Sequence, residues 1–213
     1  MPATLAYQNF VCMLSAGATR LRDNHELLSR LDSATGDGDH GTTMKKVADT
    51  ILESVQSCST PAIQPLLESV GWNVMSVDGG STSPLLGSFF MGMSEAAAGK
   101  EQITCPDLAT LFEAALAKLR AQTPAKPGDK TMVDALVPAV AAIRTAADQH
   151  QSIDQALTSA ATAASQGAQS TQSMQAKFGR ARNLGPRTLG HVDPGATSIS
   201  FLFAGFRDGL AQK

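Results

Sequence analysis

Apolar residues recur at three- and four-residue intervals along nearly the whole chain, the period of helices that bury one face. From about Thr4 to Arg30, Leu5, Phe10, Met13, Leu14, Ala18, Leu21, Leu27 and Leu28 keep that spacing and predict one long first helix. A second helix, about 43–57, places Met44, Val47, Ile51 and Val55 on one stripe. Pro61 and Pro65 separate it from a third over about 63–76, with Leu66, Leu67, Val70 and Val74 inward. Ser83 followed by Pro84 reads as an N-cap and a first helical residue, opening a fourth helix that runs to about Ala98. Thr104 to Asp107 repeats that logic for a fifth, through about Gln122. A sixth covers about 131–149 with Pro138 inside it, and a seventh covers about 152–175. In the seventh the seam is Ile153, Leu157, Ala160, Ala164 and Ala168, residues small enough for close helix contact. The last helix, about 196–211, carries Ile199, Phe201, Leu202, Phe203 and Phe206. No stretch alternates strongly enough for a sheet, so the expected class is all-α, about eight helices in one domain over 1–213.

Composition agrees with that reading. Aromatics make up 5% of 213 residues against 43% hydrophobic overall, a balance that favours helices touching through small side chains. The net charge of −2, with both signs interspersed, gives no basic stripe for nucleic acid. Cys12, Cys58 and Cys105 are scattered and odd in number, which suggests neither a zinc site nor a disulfide framework. No apolar run is long enough to span a membrane and no signal peptide is evident, so a cytoplasmic protein is expected.

Chemistry concentrates between the first two helices. Asp37 and Asp39 are two residues apart, so in an extended loop both side chains point to one side, and Asp32 can fold back to complete a trio. Such carboxylates suit a hard divalent cation like Mg²⁺. Gly41, Thr42 and Thr43 follow at a helix start, where backbone N–H groups favour phosphate. Asp-Gly-Asp is also a common turn. Two further glycine-rich segments, Asp78 to Pro84 (with Gly79 and Gly80) and Gly190 to Thr197, each precede a helix, and together the three loops could present helix N-termini to one polyanion. The longest loop, Phe178 to Gly195, holds Arg180, Arg182, Arg187 and His191. Neither a Walker loop nor the protein-kinase signature is present.

Five segments in order carry a resemblance to the nucleotide-binding L subunits of dihydroxyacetone kinases: Gly36 to Gly41, Gly79 to Pro84, Lys126 to Met132, Gln169 to Thr171, and Leu189 to Ser198. The resemblance covers nearly the whole chain. It implies an eight-helix antiparallel barrel with ADP or ATP capping one end, and two Mg²⁺ ions held by Asp32, Asp37 and Asp39. It places His40, Gly41, Thr42, Thr43, Ser81 and Thr82 at the phosphates and Thr123 and Met132 near the adenosine. Arg180, Asp193, Pro194 and Gly195 would close the site, with Arg180 stabilising charge on the moving phosphoryl group. Ser83 and Thr123 depart from glycines found in other members.

The implied activity is phosphorylation of dihydroxyacetone or a related short ketose, together with a sugar-binding K subunit that this chain does not include. A phosphotransferase-system protein would be a further partner if ADP is a fixed cofactor, and no residue here decides between that and ATP exchange. The alternative is a non-catalytic nucleotide sensor that docks on a transcriptional regulator or another partner. His40 is expected to lend its backbone N–H, His191 to stabilise its loop, and Asp129, Lys130 and Asp134 to cap and brace the sixth helix.

Overall fold

A computed structural model describes residues 3–211, and among them the regular structure is helical. Nine α-helices follow in order: α1 (Tyr7–Asp23), α2 (His25–Ser33), α3 (His40–Ser57), α4 (Ile63–Met75), α5 (Thr82–Ala96), α6 (Cys105–Arg120), α7 (Val133–Asp148), α8 (Ile153–Ser170) and α9 (Pro194–Ala211). The all-α expectation holds. The predicted first helix is in fact two, because Asn24 leaves helical geometry (φ −108°, ψ 13°). Its side-chain amide donates to the carbonyl of Arg20 at 2.8 Å, and the neighbouring His25 ring bonds the carbonyl of Arg22 at 2.7 Å. Side chains thus satisfy two of the carbonyls that end α1.

Starts and stops shift elsewhere for local reasons. Helix α5 begins at Thr82, one residue before the predicted cap, so Ser83 lies within its first turn and Pro84 at the third position. Gly79 and Gly80, at φ +152° and +60°, make the tight turn that allows this earlier start. Helix α6 has the N-cap expected at Thr104, and it is a capping box: the Thr104 hydroxyl and the Asp107 carboxylate each take the other's backbone N–H. Helix α8 ends at Ser170 and tightens into a 3-10 turn at Thr171–Ser173. The long loop that follows holds a 3-10 segment, Arg180–Thr188, kinked at Gly185.

Neighbours in the packing follow the chain: α1 on α3, then α4, α5, α6, α7, α8 and α9, which returns to α1 and closes the cycle. Helix α2 sits against α3 and α9. The centre is filled, and the few aromatics concentrate there. The Phe112 ring lies 5.9, 5.4 and 6.1 Å from those of Phe89, Phe203 and Phe206, joining α5, α6 and α9. Around this centre, glycines let backbones nearly touch. A Cβ on Gly205 would fall 2.3 Å from the Cα of Gly17, and one on Gly167 would fall 2.3 Å from the Asp134 carbonyl oxygen. The small-residue seam expected along α8 is therefore a contact surface with α7 and α9.

This winding order decides where chemistry can gather. The connections α2–α3, α4–α5, α6–α7 and α8–α9 all emerge at one end of the bundle, and residues from all four line one cavity. At the opposite end an isolated bridge pairs Leu5 with Ile103.

Candidate functional site

The cavity has a volume of about 570 Å³ and is walled by residues 32–43, 79–85, 122–133, 178–181 and 193–195 in part. Four helices, α3, α5, α7 and α9, begin at it, one more than the glycine-rich segments indicate. Their N-termini direct partial positive charge and N–H groups toward its rim.

Asp32, Asp37 and Asp39 converge at one side. Each offers a carboxylate oxygen, and these oxygens lie within 4.8 Å of one another. Asp37 and Asp39 come from the α2–α3 loop, as their spacing suggests. Asp32 comes from the last turn of α2 rather than from a loop, and its Oδ2 accepts the backbone N–H of His40 at 3.2 Å. The break at Asn24 aims α2, and Gly41 lets it close: a Cβ there would meet the His25 carbonyl oxygen at 1.9 Å. Three clustered carboxylates form a hard-oxygen donor set, which fits a divalent cation such as Mg²⁺. The Arg180 guanidinium lies among them, paired with Asp37 and 3.3 Å from Asp39.

The other residues marked in the sequence are distributed as follows. His40, Thr43, Gly79, Gly80, Ser81, Thr82, Thr123, Met132, Arg180, Asp193, Pro194 and Gly195 line the cavity. Gly41 and Thr42 do not: Gly41 is buried against α2, and Thr42 faces solvent on the first turn of α3. The His40 ring is buried with Nε2 2.7 Å from the Ser198 hydroxyl, which itself donates to the Pro194 carbonyl. Burial lowers its pKa against the opposing pull of Asp32, so the ring is neutral near pH 7 and ties α3 to α9. Gly79 packs on Thr43 so closely that a Cβ would lie 2.3 Å from the threonine hydroxyl. Asp193 caps α9 by accepting the Ala196 N–H at 2.7 Å. Loss of water around its carboxyl pushes its pKa up to about 7, despite that hydrogen bond and nearby Lys130.

Sequence reasoning missed part of the wall. Thr35, Gly36, Gln122, Ala125, Thr131 and Phe178 also line the cavity, and no periodicity marks them. Lys130 is the notable case. Asp129 and Asp134 brace the start of α7 as expected, Asp134 by accepting the N–H groups of Gly128 and Thr131. Lys130 itself is only 3% exposed, lines the cavity and reaches across to the α8–α9 connection. Among the described residues the exposed large apolar side chains are Trp72, on the α4 surface, and Leu189, just past the 3-10 segment.

Comparison with known proteins places the chain in a family. The family model described as the DAK2 domain matches residues 34–208. The chain is 37% identical over 177 residues to the "PEP-dependent dihydroxyacetone kinase, ADP-binding subunit DhaL" of Escherichia coli (strain K12), covering 83% of this chain and 84% of that protein. It is 33% identical over 184 residues to the ADP-binding subunit DhaL of "PEP-dependent dihydroxyacetone kinase 1" from Listeria innocua, covering 86% and 87%. Among solved structures it resembles the dihydroxyacetone kinase from C. freundii in complex with AMP-PNP and Mg²⁺, with a TM-score of 0.71 and 26% identity. That match covers 93% of this chain and 33% of the solved one, so the chain spans about a third of that kinase's length.

Proposed function

The chain belongs to the DAK2 domain family, and from that premise we propose that it is the nucleotide-binding, phosphoryl-transferring subunit of a dihydroxyacetone-type kinase. It acts on a short ketose held by a separate K subunit, as one domain over its whole length. The observation that carries this reading is the convergence of three carboxylates with the starts of four helices at one cavity.

Asp32, Asp37 and Asp39 would hold Mg²⁺, two ions in the family pattern. Held by these carboxylates, such a cation would supply positive charge to offset that of the phosphates. The remaining work falls to the chain. The starts of α3 and α5, with Thr43, Ser81 and Thr82, receive the phosphates through N–H and hydroxyl donors. Gly79 and Gly80 keep that loop low enough for close approach. Thr123 and Met132 form the apolar side of the cavity against the base, and the capped start of α9 at Asp193–Gly195 closes it. Arg180 has the reach to leave the carboxylates and pair with a transferring phosphoryl group, which needs positioning and charge stabilisation more than covalent help. The base that takes the sugar proton is assigned to the K subunit.

The two DhaL relatives are named as ADP-binding and PEP-dependent, which favours ADP as a retained cofactor rephosphorylated by a phosphotransferase-system protein. The experiment is to purify the protein without added nucleotide, dialyse it, denature it and quantify what is released. Close to one ADP per chain supports retention, and turnover of dihydroxyacetone only when a K subunit is added supports the division of labour. Reversible Mg-ATP binding to an empty protein would replace retention with exchange. No nucleotide and no Mg²⁺-dependent binding would overturn the proposal.

A further inference from the structure

Two of the segments marked in the sequence, Lys126 to Met132 and Gln169 to Thr171, contribute little to the phosphate end of the cavity. They meet instead at a buried ammonium. Lys130 Nζ donates to the carbonyl of Thr171 at 2.5 Å and to that of His191. Its backbone adopts φ +60°, a conformation that a non-glycine residue holds only when its surroundings enforce it. The surroundings here are dense. The Thr171 hydroxyl accepts the Asp193 N–H at 2.8 Å, and Gln172 and Gly190 exchange two bonds, N–H to carbonyl at 2.8 Å and side-chain amide to carbonyl at 3.1 Å. Asp134 and Asp193 are the acidic groups whose charge acts on the ammonium.

We infer that Lys130 is a positioning residue: its ammonium ties the α8–α9 connection to the α6–α7 connection and so fixes the Asp193–Gly195 wall of the cavity against the Met132 wall. A side chain that only filled space would not need an ammonium, which is costly to bury unless its donors are satisfied. Nor would it need a left-handed backbone to aim it. Each wall lies where a connection meets a helix start, and connections without such a tie open readily. The tie therefore controls how long a ligand between those walls stays bound, a consequence that rests on the nucleotide reading above. The tie itself does not rest on it.

The test uses the full chain, wild type and Lys130→Met, which keeps the unbranched stem and removes the donors. Amide hydrogen exchange is measured without nucleotide, and ADP dissociation is measured by stopped flow with Mg²⁺ present. The expected result is a loss of protection of roughly tenfold or more confined to residues 171–173 and 188–193, and ADP release faster by roughly tenfold, the scale of a lost charged hydrogen bond. Unaltered protection at 188–193 overturns the tie, and uniform loss across all helices overturns it in favour of a purely structural lysine. Altered protection with unaltered ADP release overturns the link to ligand retention. If Lys130→Met fails to fold, Lys130→Gln, which shortens the stem and leaves no ammonium to reach both carbonyls, must loosen the same amides, and unchanged exchange there overturns the tie equally. If wild type binds no ADP, the nucleotide reading fails and the exchange comparison still decides the tie.

Discussion

Replacing Arg180 by Gln separates two roles that the same guanidinium would play. In the structure it sits where a cation is wanted. Three carboxylate oxygens within 4.8 Å of one another repel by at least about 0.9 kcal/mol per pair at the dielectric of water. Against this, the contact to Asp39 at 3.3 Å gains about 1.3 kcal/mol gross by the same formula. The Arg180 side chain is 62% exposed, and exposed pairs retain a net of about 0.2–1 kcal/mol after screening and ordering. Loss of the arginine should therefore lower the melting temperature by no more than about 4 °C in a chain of this size. A divalent cation entering the trio must displace the guanidinium. Without that competitor, Mg²⁺ should bind the nucleotide-free protein up to about fivefold more tightly, the factor that 1 kcal/mol represents. Phosphoryl transfer with a K subunit should meanwhile fall by roughly a thousandfold, the lower range for loss of an arginine from such a transition state. Isothermal titration with Mg²⁺ at low salt, thermal melts and coupled turnover measure the three effects. Weaker Mg²⁺ binding in the variant would refute the competition, and unchanged turnover would refute the catalytic role.

Three other expectations follow from particular contacts. Gly41→Ala places a methyl 1.9 Å from the His25 carbonyl oxygen, so α2 must move away from α3. The expected cost is about 1–3 kcal/mol in a urea melt, with Mg²⁺-dependent ADP binding weakened because Asp32 moves with α2. Thr104→Ala removes the hydroxyl half of the α6 capping box and should cost about 1 kcal/mol while leaving ADP affinity unchanged, since it lies at the far end of the bundle. For pH, the Asp193 carboxyl titrates at about 7 in the folded protein against an ordinary value of 3.8. Its protonated form is the one folding favours, so its contribution is complete below about pH 4 and is lost as pH rises through about 7. Denaturation midpoints for Asp193→Asn should fall less than those of wild type over that window, because the amide is neutral throughout and can still cap α9. Parallel pH profiles would contradict the assignment.

The clustering of the three carboxylates was legible because Asp37 and Asp39 lie two residues apart in a loop and Asp32 lies five residues before them. Local spacing and glycines sufficed. The helix starts at the cavity were legible for the same reason, since caps and glycine turns are local signals. What escaped the sequence depends on contacts between distant segments. The periodic run through Leu27 and Leu28 continues past Asn24, so nothing local announces the break; α2 turns there to pack on α3 and α9. Ser83 reads as a cap by residue type, yet the Gly79–Gly80 turn starts the helix before it and leaves its buried hydroxyl without a partner among the described residues. Lys130 looks like an ordinary loop lysine, and its partners stand 41 and 61 residues further along the chain. Gly41 looks like part of a phosphate loop, whereas its lack of a side chain serves the contact with α2.

The central claim is that Asp32, Asp37 and Asp39 hold the cation through which this chain binds nucleotide. The most direct measurement is ADP affinity by calorimetry, with Mg²⁺ and with chelator, for wild type and Asp37→Asn, with helical content followed by circular dichroism. The account predicts tight binding of ADP by wild type only with Mg²⁺, and a loss of roughly a hundredfold or more in the variant at unchanged helicity. Equal affinity in chelator, or an Asp37→Asn protein that binds Mg-ADP as wild type does, would contradict it.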